Sequence, residues 1–367
     1  MREPALAEMA RRRLANQQIT VREHKTPRDV VCALGAVQAQ DYRGALWAVG
    51  LRSPGSSETD IERAVAEATI VRTWAMRGTL HLVAATDIRW ILELLAPRII
   101  AAGASRRRQL EIDEKTLASS RDLLIDALSH GRRLPRDEAM VLLESAGIRT
   151  GGQRGIHLLW HLSLEGLICQ ASPEGRQSTF ALLGDWVPSA RLMGREEALA
   201  ELAVRYVGGH GPATFRDFVW WSGLTVADAK TGIELARGLL ARETLGDKEY
   251  LVLPGTPPCR EVSRSVFLLP GFDEYVLGYA DRGVALDAVS AQRIVPGGNG
   301  IFRPTIVEDG RVVGTWKPAS RAHPASVVDL FGPLGSVASD ALSLVLREYA
   351  DFVSPPSGRE RRAVGGG

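Results

Sequence analysis

The apolar positions of the chain fall into helical and alternating stretches that recur in one order. In "TPRDVVCALGAV" (26–37) a helical stripe runs through Val30, Val31, Leu34 and Val37, and "SETDIERAVAEAT" (57–69) also reads as helix. Thr26 before Pro27, and Ser57 three residues before Asp60, supply N-terminal caps. "IVRTWAMRGTLHLVA" (70–84) then alternates around "MRG", which predicts a hairpin. The order repeats twice. Helices in "SSRDLLIDALSHG", "PRDEAMVLLESAG" and "QRGIHLLWHLSLEG" lead to the ribbon "LICQASPEGRQSTFALL", and helices in "EEALAELAVRYVGG", "TFRDFVWWSG" and "TVADAKTGIELARGLL" lead to the hairpin "ETLGDKEYLVLPG".

Helices followed by a two-stranded ribbon are the plan of a winged helix-turn-helix unit. The fold class expected is therefore α+β, with three tandem winged-helix units over 1–118, 119–190 and 191–260. Past residue 260 the pattern changes: "SVFLLPGFDEYVLGYADR" and "GIFRPTIVEDGRVVGTWK" read as strands, the latter turning at "EDGR", before a final helix in "SDALSLVLREYADFV". Residues 261–355 thus form a β-rich C-terminal subdomain, and 356–367 a disordered tail.

Composition narrows the picture only slightly. With 45% apolar residues the 367-residue chain can bury real cores, and it contains no apolar run of the roughly 18 residues that a membrane span needs. Three scattered cysteines, Cys32, Cys169 and Cys259, have no metal spacing and cannot all pair, which favours a reducing cytoplasm. Only five of the 45 basic residues are lysines, so the positive charge is mostly guanidinium, the group suited to bidentate phosphate contacts. The net charge of +2 permits a nucleic-acid partner without demanding one.

One stretch breaks the apolar pattern. In "AVQAQDYRGAL" Gln38 follows Leu34 by four residues, where another Leu or Val belongs, and Gln40 follows it by two. A carboxamide there must find hydrogen-bond partners or lose free energy. Taken by spacing alone, the two could simply satisfy backbone groups at a helix end.

Four segments, "AVQAQDYRGALWAVGLR", "TWAMRGTLHLV", "LLPGFDEYVLGYADR" and "NGIFRP…GRVVGTW", span nearly the whole chain in order, and with them it resembles the AlkZ-like winged-helix DNA glycosylases of the azinomycin-resistance type. The resemblance implies three winged-helix units in a C shape around a DNA channel, with no metal or organic cofactor. It also implies excision of bulky N7-alkylated purines from double-stranded DNA, interstrand crosslinks included. The family's catalytic Gln–apolar–Gln is matched by Gln38, Ala39 and Gln40, and the Asp that a related branch carries in second place is absent. This points to the narrower, self-resistance branch.

If both carboxamides hold one water, residues 38–40 must be extended, because residues two apart share a side in a strand but not in a helix. The helix is then expected to stop near Val37. A neutral amide is a poor general base, but an N7-alkylguanine is already cationic and leaves as a neutral base, so an oriented water and well-placed amide dipoles could suffice. With Lys25 the nearest lysine in sequence, water rather than a Schiff base is the expected nucleophile. Asp41 is either a helix cap or a base.

The candidate DNA contacts are Arg43, three residues beyond Gln40; Arg77 and Arg176, at the tips of the first two ribbons; Arg154, opening a helix; and Arg303, after the loop "VPGGNG". His157 and His161 have the i, i+4 spacing of a metal pair but lack a third ligand. Asp273 and Glu274 read as structural hydrogen-bonding groups, Trp220 and Trp221 as core, and Arg106–Arg108 as a solvated linker. The expected form is a cytoplasmic monomer on duplex DNA, nucleoid-associated when bound. The competing reading is a winged-helix transcription regulator without chemistry, which would normally dimerise on half-sites; no dimerisation heptad is evident. A scaffold whose wings contact proteins is a third.

Overall fold

The computed structural model describes residues 3–174, 177–255, 266–298, 300–319 and 325–354. Arg176, Cys259 and the expected tail 356–367 lie outside these residues.

Helix Pro27–Leu34 opens where the Thr26 side chain accepts from the Asp29 amide. It closes at Gly35, whose φ of 79° is cheap only without a Cβ. The helix therefore ends before the Val37 expected from the apolar stripe, and the chain extends through β1 (Val37–Gln38). Asp41 caps helix Tyr42–Arg52, and Ser57 with Asp60 forms a capping box on helix Glu58–Ala66. The hairpin of β2 (Ile70–Met76) and β3 (Thr79–Ala84) follows, and β1 pairs with β3.

The same connectivity returns twice. Helix Glu114–Leu128, β4 (Leu134–Pro135), helices Arg136–Ser145 and Arg154–Leu164, and strands β5 (Ile168–Glu174) and β6 (Gln177–Leu182) form the second unit, in which β4 pairs with β6. In the third, helix Arg195–His210 is followed by Ala213, which bridges to Leu251, then by helices Phe215–Ser222 and Val226–Leu235 and by β7 (Ala241–Leu245) and β8 (Lys248–Val252). The boundary drawn at 118/119 falls inside helix Glu114–Leu128, which begins earlier because Asp113 caps it. Helix Ile88–Ala102, between the first two units, escaped the periodicity reading because most of its circumference is buried.

The first two ribbons merge into one six-stranded sheet ordered β1-β3-β2-β5-β6-β4, which reads alike from either edge. Its central pairing is Arg72 with Gln170. One row of directly opposed residues crosses all six strands: Val37, Leu82, Arg72, Gln170, Phe180 and Leu134. On one flank of that row Gln38, His81 and Thr73 stand opposed, and on the other flank Ala171, Thr179 and Pro135 do so in the symmetry-related half. Gln38 thus occupies the place that Pro135 has in the second unit. Trp74 and Leu80 share a core with Leu159, Ile168 and Phe180, which locks the two halves together.

The C-terminal segment is not a free-standing subdomain. Strands β9 (Val266–Leu269), β10 (Thr305–Glu308), β11 (Arg311–Lys317) and β12 (Val327–Leu330) form a sheet ordered β12-β11-β10-β9. Together with helix Ser336–Val353 it shares one core with residues of the first unit. Trp47 lies edge-on to Tyr349 at 5.1 Å, and its Nε1 donates to Leu268 O at 2.8 Å. The turn at "EDGR" forms as expected, with Asp309 and Gly310 both at positive φ. The strand read through "LLPGFDEYVLGYADR" ends at Leu269, because Pro270 and Gly271 interrupt it and Asp273 caps the helical turn Glu274–Leu277.

Candidate active site

The edge strand β1 carries the Gln–Ala–Gln segment past the end of the ladder. Ala39 N donates to Leu80 O (2.7 Å), and Leu80 N donates to Gln40 Oε1 (3.0 Å). Gln38 N faces Glu274 Oε1 at 3.4 Å. Residues 38–40 are therefore outside any helix, as required if two carboxamides are to act on one side. Their environments differ. Gln40 is exposed, whereas Gln38 is 8% exposed and its Oε1 is buried without a hydrogen-bond partner among the described residues. An acceptor left so costs about 1–3 kcal/mol, which makes it a receptive position for a donor.

Arg72, which the sequence reading passed over, fixes the peptide between the glutamines. Its Nε and one Nη donate to Ala39 O (3.2 and 2.8 Å), and the other Nη donates to Gln170 Oε1 (2.6 Å) and Ser178 Oγ (3.2 Å). Its guanidinium carbon lies 4.9 Å from the centre of the Tyr42 ring. All of its hydrogen-bond acceptors are uncharged. Burial pulls its pKa down to about 10, which leaves it a cation at neutral pH.

Beneath the motif the chain buries carboxylates deliberately. Asp273 takes two hydrogen bonds from Arg52, at 2.8 and 2.9 Å, in an ion pair sealed from solvent, and this holds the turn that presents Glu274. Glu274 accepts from Trp221 Nε1 (2.9 Å) and from His210 Nε2 (3.3 Å). Burial alone would raise its pKa, but the bond from His210 and the nearby Arg77 charge hold it below the ordinary value. His81, opposite Gln38 on β3, is pushed down to about 4 by burial and by Arg77, so it is a neutral imidazole at pH 7. The reading of Asp273 and Glu274 as structural hydrogen-bonding groups agrees with these contacts. Asp41 accepts from Gly44 N (3.2 Å) as a helix cap.

The candidate DNA contacts separate on inspection. Arg43 and Arg303 are exposed, and no hydrogen bond or ion pair engages either side chain among the described residues. Arg77 is not at an exposed tip. Its turn packs against the third unit, and its half-buried side chain donates to Trp221 O. Arg154 is occupied too, donating to the carbonyls of Leu110 and Glu111 that follow helix Ala104–Gln109. That helix contains Arg106–Arg108, so the expected linker is ordered: Arg106 bonds Gln153 (2.8 Å), and Arg107 pairs with Glu114 (3.0 Å). Trp221 is core, but Trp220 is 45% exposed, with Arg282 stacked on it. His161 faces Glu165 at 3.4 Å. Among the described residues, no three His, Cys, Asp or Glu side chains gather as a metal site, and no helix is long and apolar enough to cross a membrane.

Of the residues missed, Arg72, Thr73 and His81 carried one signal: polar side chains in strands whose other positions are nearly all apolar. The motifs quoted from distant parts of the sequence converge here, 36–52 with 73–83 through β1–β3 and with 268–282 through Trp47, Arg52 and Gln38.

Comparison with known proteins agrees with this convergence. The model of the family "DNA glycosylase AlkZ-like" matches residues 31–352. An interstrand DNA cross-link repair glycosylase from Streptomyces sahachiroi is 28% identical over 328 residues, covering 83% of this chain and 85% of that protein. The solved structure of the Streptomyces sahachiroi DNA glycosylase AlkZ superposes with a TM-score of 0.79 at 25% identity, covering 94% of this chain and 96% of that one. The chain belongs to the AlkZ-like family and is a DNA glycosylase.

Proposed function

We propose that this glycosylase hydrolyses the N-glycosidic bond of bulky N7-alkylated purines in duplex DNA, with Gln38 and Gln40 orienting the attacking water. The observation that carries this reading is the extended Gln–Ala–Gln segment, pinned from both sides at Ala39, with a buried Gln38 oxygen that accepts nothing among the described residues. A cationic N7-alkylguanine needs no acid to leave. The enzyme's part is then to place water and to set amide oxygen dipoles against the developing oxocarbenium, effects worth about 10²–10³ in rate for each group.

The name of the 28%-identical relative extends the substrate class to interstrand cross-links, and a self-resistance role against a genotoxic product fits that class. In our reading the three helix–strand–helix–helix–ribbon units are winged helices around a concave DNA channel, acting as a monomer. Their third helices are poor groove readers. Helix Glu58–Ala66 exposes Thr59, Glu62 and Arg63, and helix Arg154–Leu164 is largely buried. Duplex positioning falls instead to free guanidinium groups such as Arg43 and Arg303.

The test is base release from duplexes carrying N7-methylguanine, a bulky N7 adduct or an N7–N7 crosslink, with Gln38→Ala and Gln40→Ala as controls. Release of bulky lesions, lost in both variants while binding persists, supports the proposal. Release that survives both substitutions refutes the glutamine assignment. Binding without release of any base would leave a DNA-binding regulator.

A further inference from the structure

Gln38, His81 and Thr73 are directly opposed across β1, β3 and β2, so their side chains leave the same face of the sheet as near neighbours. Each carries a polar atom that the protein leaves without a partner among the described residues. Gln38 Oε1 and Thr73 Oγ1 are buried and accept or donate nothing. His81 makes one hydrogen bond, from Nδ1 to Thr79 O at 2.9 Å. A carbonyl only accepts, so Nδ1 carries the hydrogen and Nε2 is a bare lone pair.

The other half of the sheet supplies an internal control. In the symmetry-related row the Thr179 hydroxyl donates to Ser172 O (2.6 Å), while Ala171 and Pro135 have no polar side-chain atom. Within these two rows the unpartnered polar atoms thus lie on the side of the glutamine and not of its counterpart, although Ser172 Oγ, elsewhere on β5, is also buried without a partner among the described residues.

We propose that His81 is the proton acceptor of the hydrolytic step, receiving at Nε2 a proton of the water that Gln38 orients. The inference rests on the glycosylase reading of Gln38 and Gln40. It supplies what two carboxamides lack, a basic lone pair. As the C1′–N9 bond of the cationic N7-alkylguanine breaks, its electron pair neutralises the purine. The water oxygen bonds to C1′, and one water proton passes to Nε2. The resulting imidazolium later releases that proton to solvent. Two charged groups act on His81: Glu274, which favours the imidazolium, and Arg77, which opposes it. Glu274 is itself bonded by His210 and Trp221. Burial keeps the resting ring neutral, so its lone pair is available, and disfavours the imidazolium, which therefore gives its proton up again readily. Thr73 adds a hydroxyl to the same face of the sheet.

The experiment is single-turnover release of N7-methylguanine, or of the bulkiest N7 adduct that the parent enzyme excises, by the parent and by His81→Gln. Binding of the same duplex is measured alongside, and the parent's rates are compared in H2O and D2O. We expect His81→Gln to lose about 10²-fold or more in rate at unchanged affinity, and the parent to show a normal solvent isotope effect that the variant lacks. A variant within twofold of the parent overturns the inference while leaving the glycosylase reading intact. Should His81→Gln fail to fold, the parent's isotope effect decides, and a value of unity overturns the proposal. A parent that releases no base from any lesion overturns both.

Discussion

Replacing Arg72 with lysine tests whether the peptide between the glutamines is held in place or merely happens to be extended. The arginine makes four hydrogen bonds, two of them to Ala39 O and one each to Gln170 and Ser178. An ammonium on a single stem keeps the charge but cannot fork across Ala39 and Gln170 together. At least one buried acceptor, and with Ser178 up to two, then loses its donor at about 1–3 kcal/mol each. The expected destabilisation is about 2–4 kcal/mol, a sizeable fraction of the roughly 5–15 kcal/mol of a typical domain but short of unfolding it. Release of Ala39 O allows the segment to relax, and displacements of about 1 Å at a catalytic group cost on the order of 10²-fold in rate. Urea unfolding at pH 7 measures the first quantity, and single-turnover base release at saturating enzyme the second. Gln170→Ala serves as a control, because it removes one acceptor but leaves the Ala39 clamp; it should lose stability with a much smaller loss of rate. Arg72→Lys that excises at the parental rate would show that β1 and Leu80 alone position the motif, and the reasoning would fail.

Other outcomes follow from the same contacts. Gln40→Ala takes from Leu80 N its acceptor and should cost about 1–3 kcal/mol, while base release falls by about 10²-fold or more; thermal melts and release assays on one preparation check both. Arg52→Met leaves Asp273 buried without its partner and should cost about 3–5 kcal/mol, read as a lower urea midpoint. His81 titrates at about 4 in the fold against an ordinary 6.5, so the unfolded chain takes up a proton that the folded one refuses. Stability is therefore fully present above pH 6.5 and lost as pH falls towards 4, by about 3 kcal/mol in total. The difference between parent and His81→Gln, measured by urea unfolding at both ends of that window, should shrink by this amount in acid; a pH-independent difference would contradict the burial argument. Gly50→Ala would set a Cβ 2.2 Å from the Phe352 ring and should destabilise the core by about 1–3 kcal/mol.

Much of the fold could be read from periodicity and caps. Thr26, Ser57 with Asp60, and the "MRG" and "EDGR" turns each fixed an element end by local chemistry, and those ends stand where expected. The misreadings arose where tertiary burial overrode local pattern. Helix Ile88–Ala102 is apolar on most sides and shows no stripe, and the turn at Glu274–Leu277 looked like strand because Tyr275, Val276 and Leu277 follow one another without a polar break. The site divided along the same line. Gln38 and Gln40 stood out because they broke a stripe. Arg72 and His81 act through strand pairings that no local window contains. Arg77 and Arg154 looked exposed by position in their elements, but the surfaces they meet come from residues 144 and 43 or 44 positions away.

The core that joins residues 14–82 to 266–352 has a temporal consequence. On the ribosome Gln38 is made 236 residues before Glu274, and the Trp316, Tyr349 and Phe352 side chains of the shared core are made later still. Contacts of such long sequence separation form late and slowly. A nascent or truncated chain should thus carry the proposed glutamine pair without the scaffold that aims it, and activity should appear only once the segment through Phe352 has left the exit tunnel.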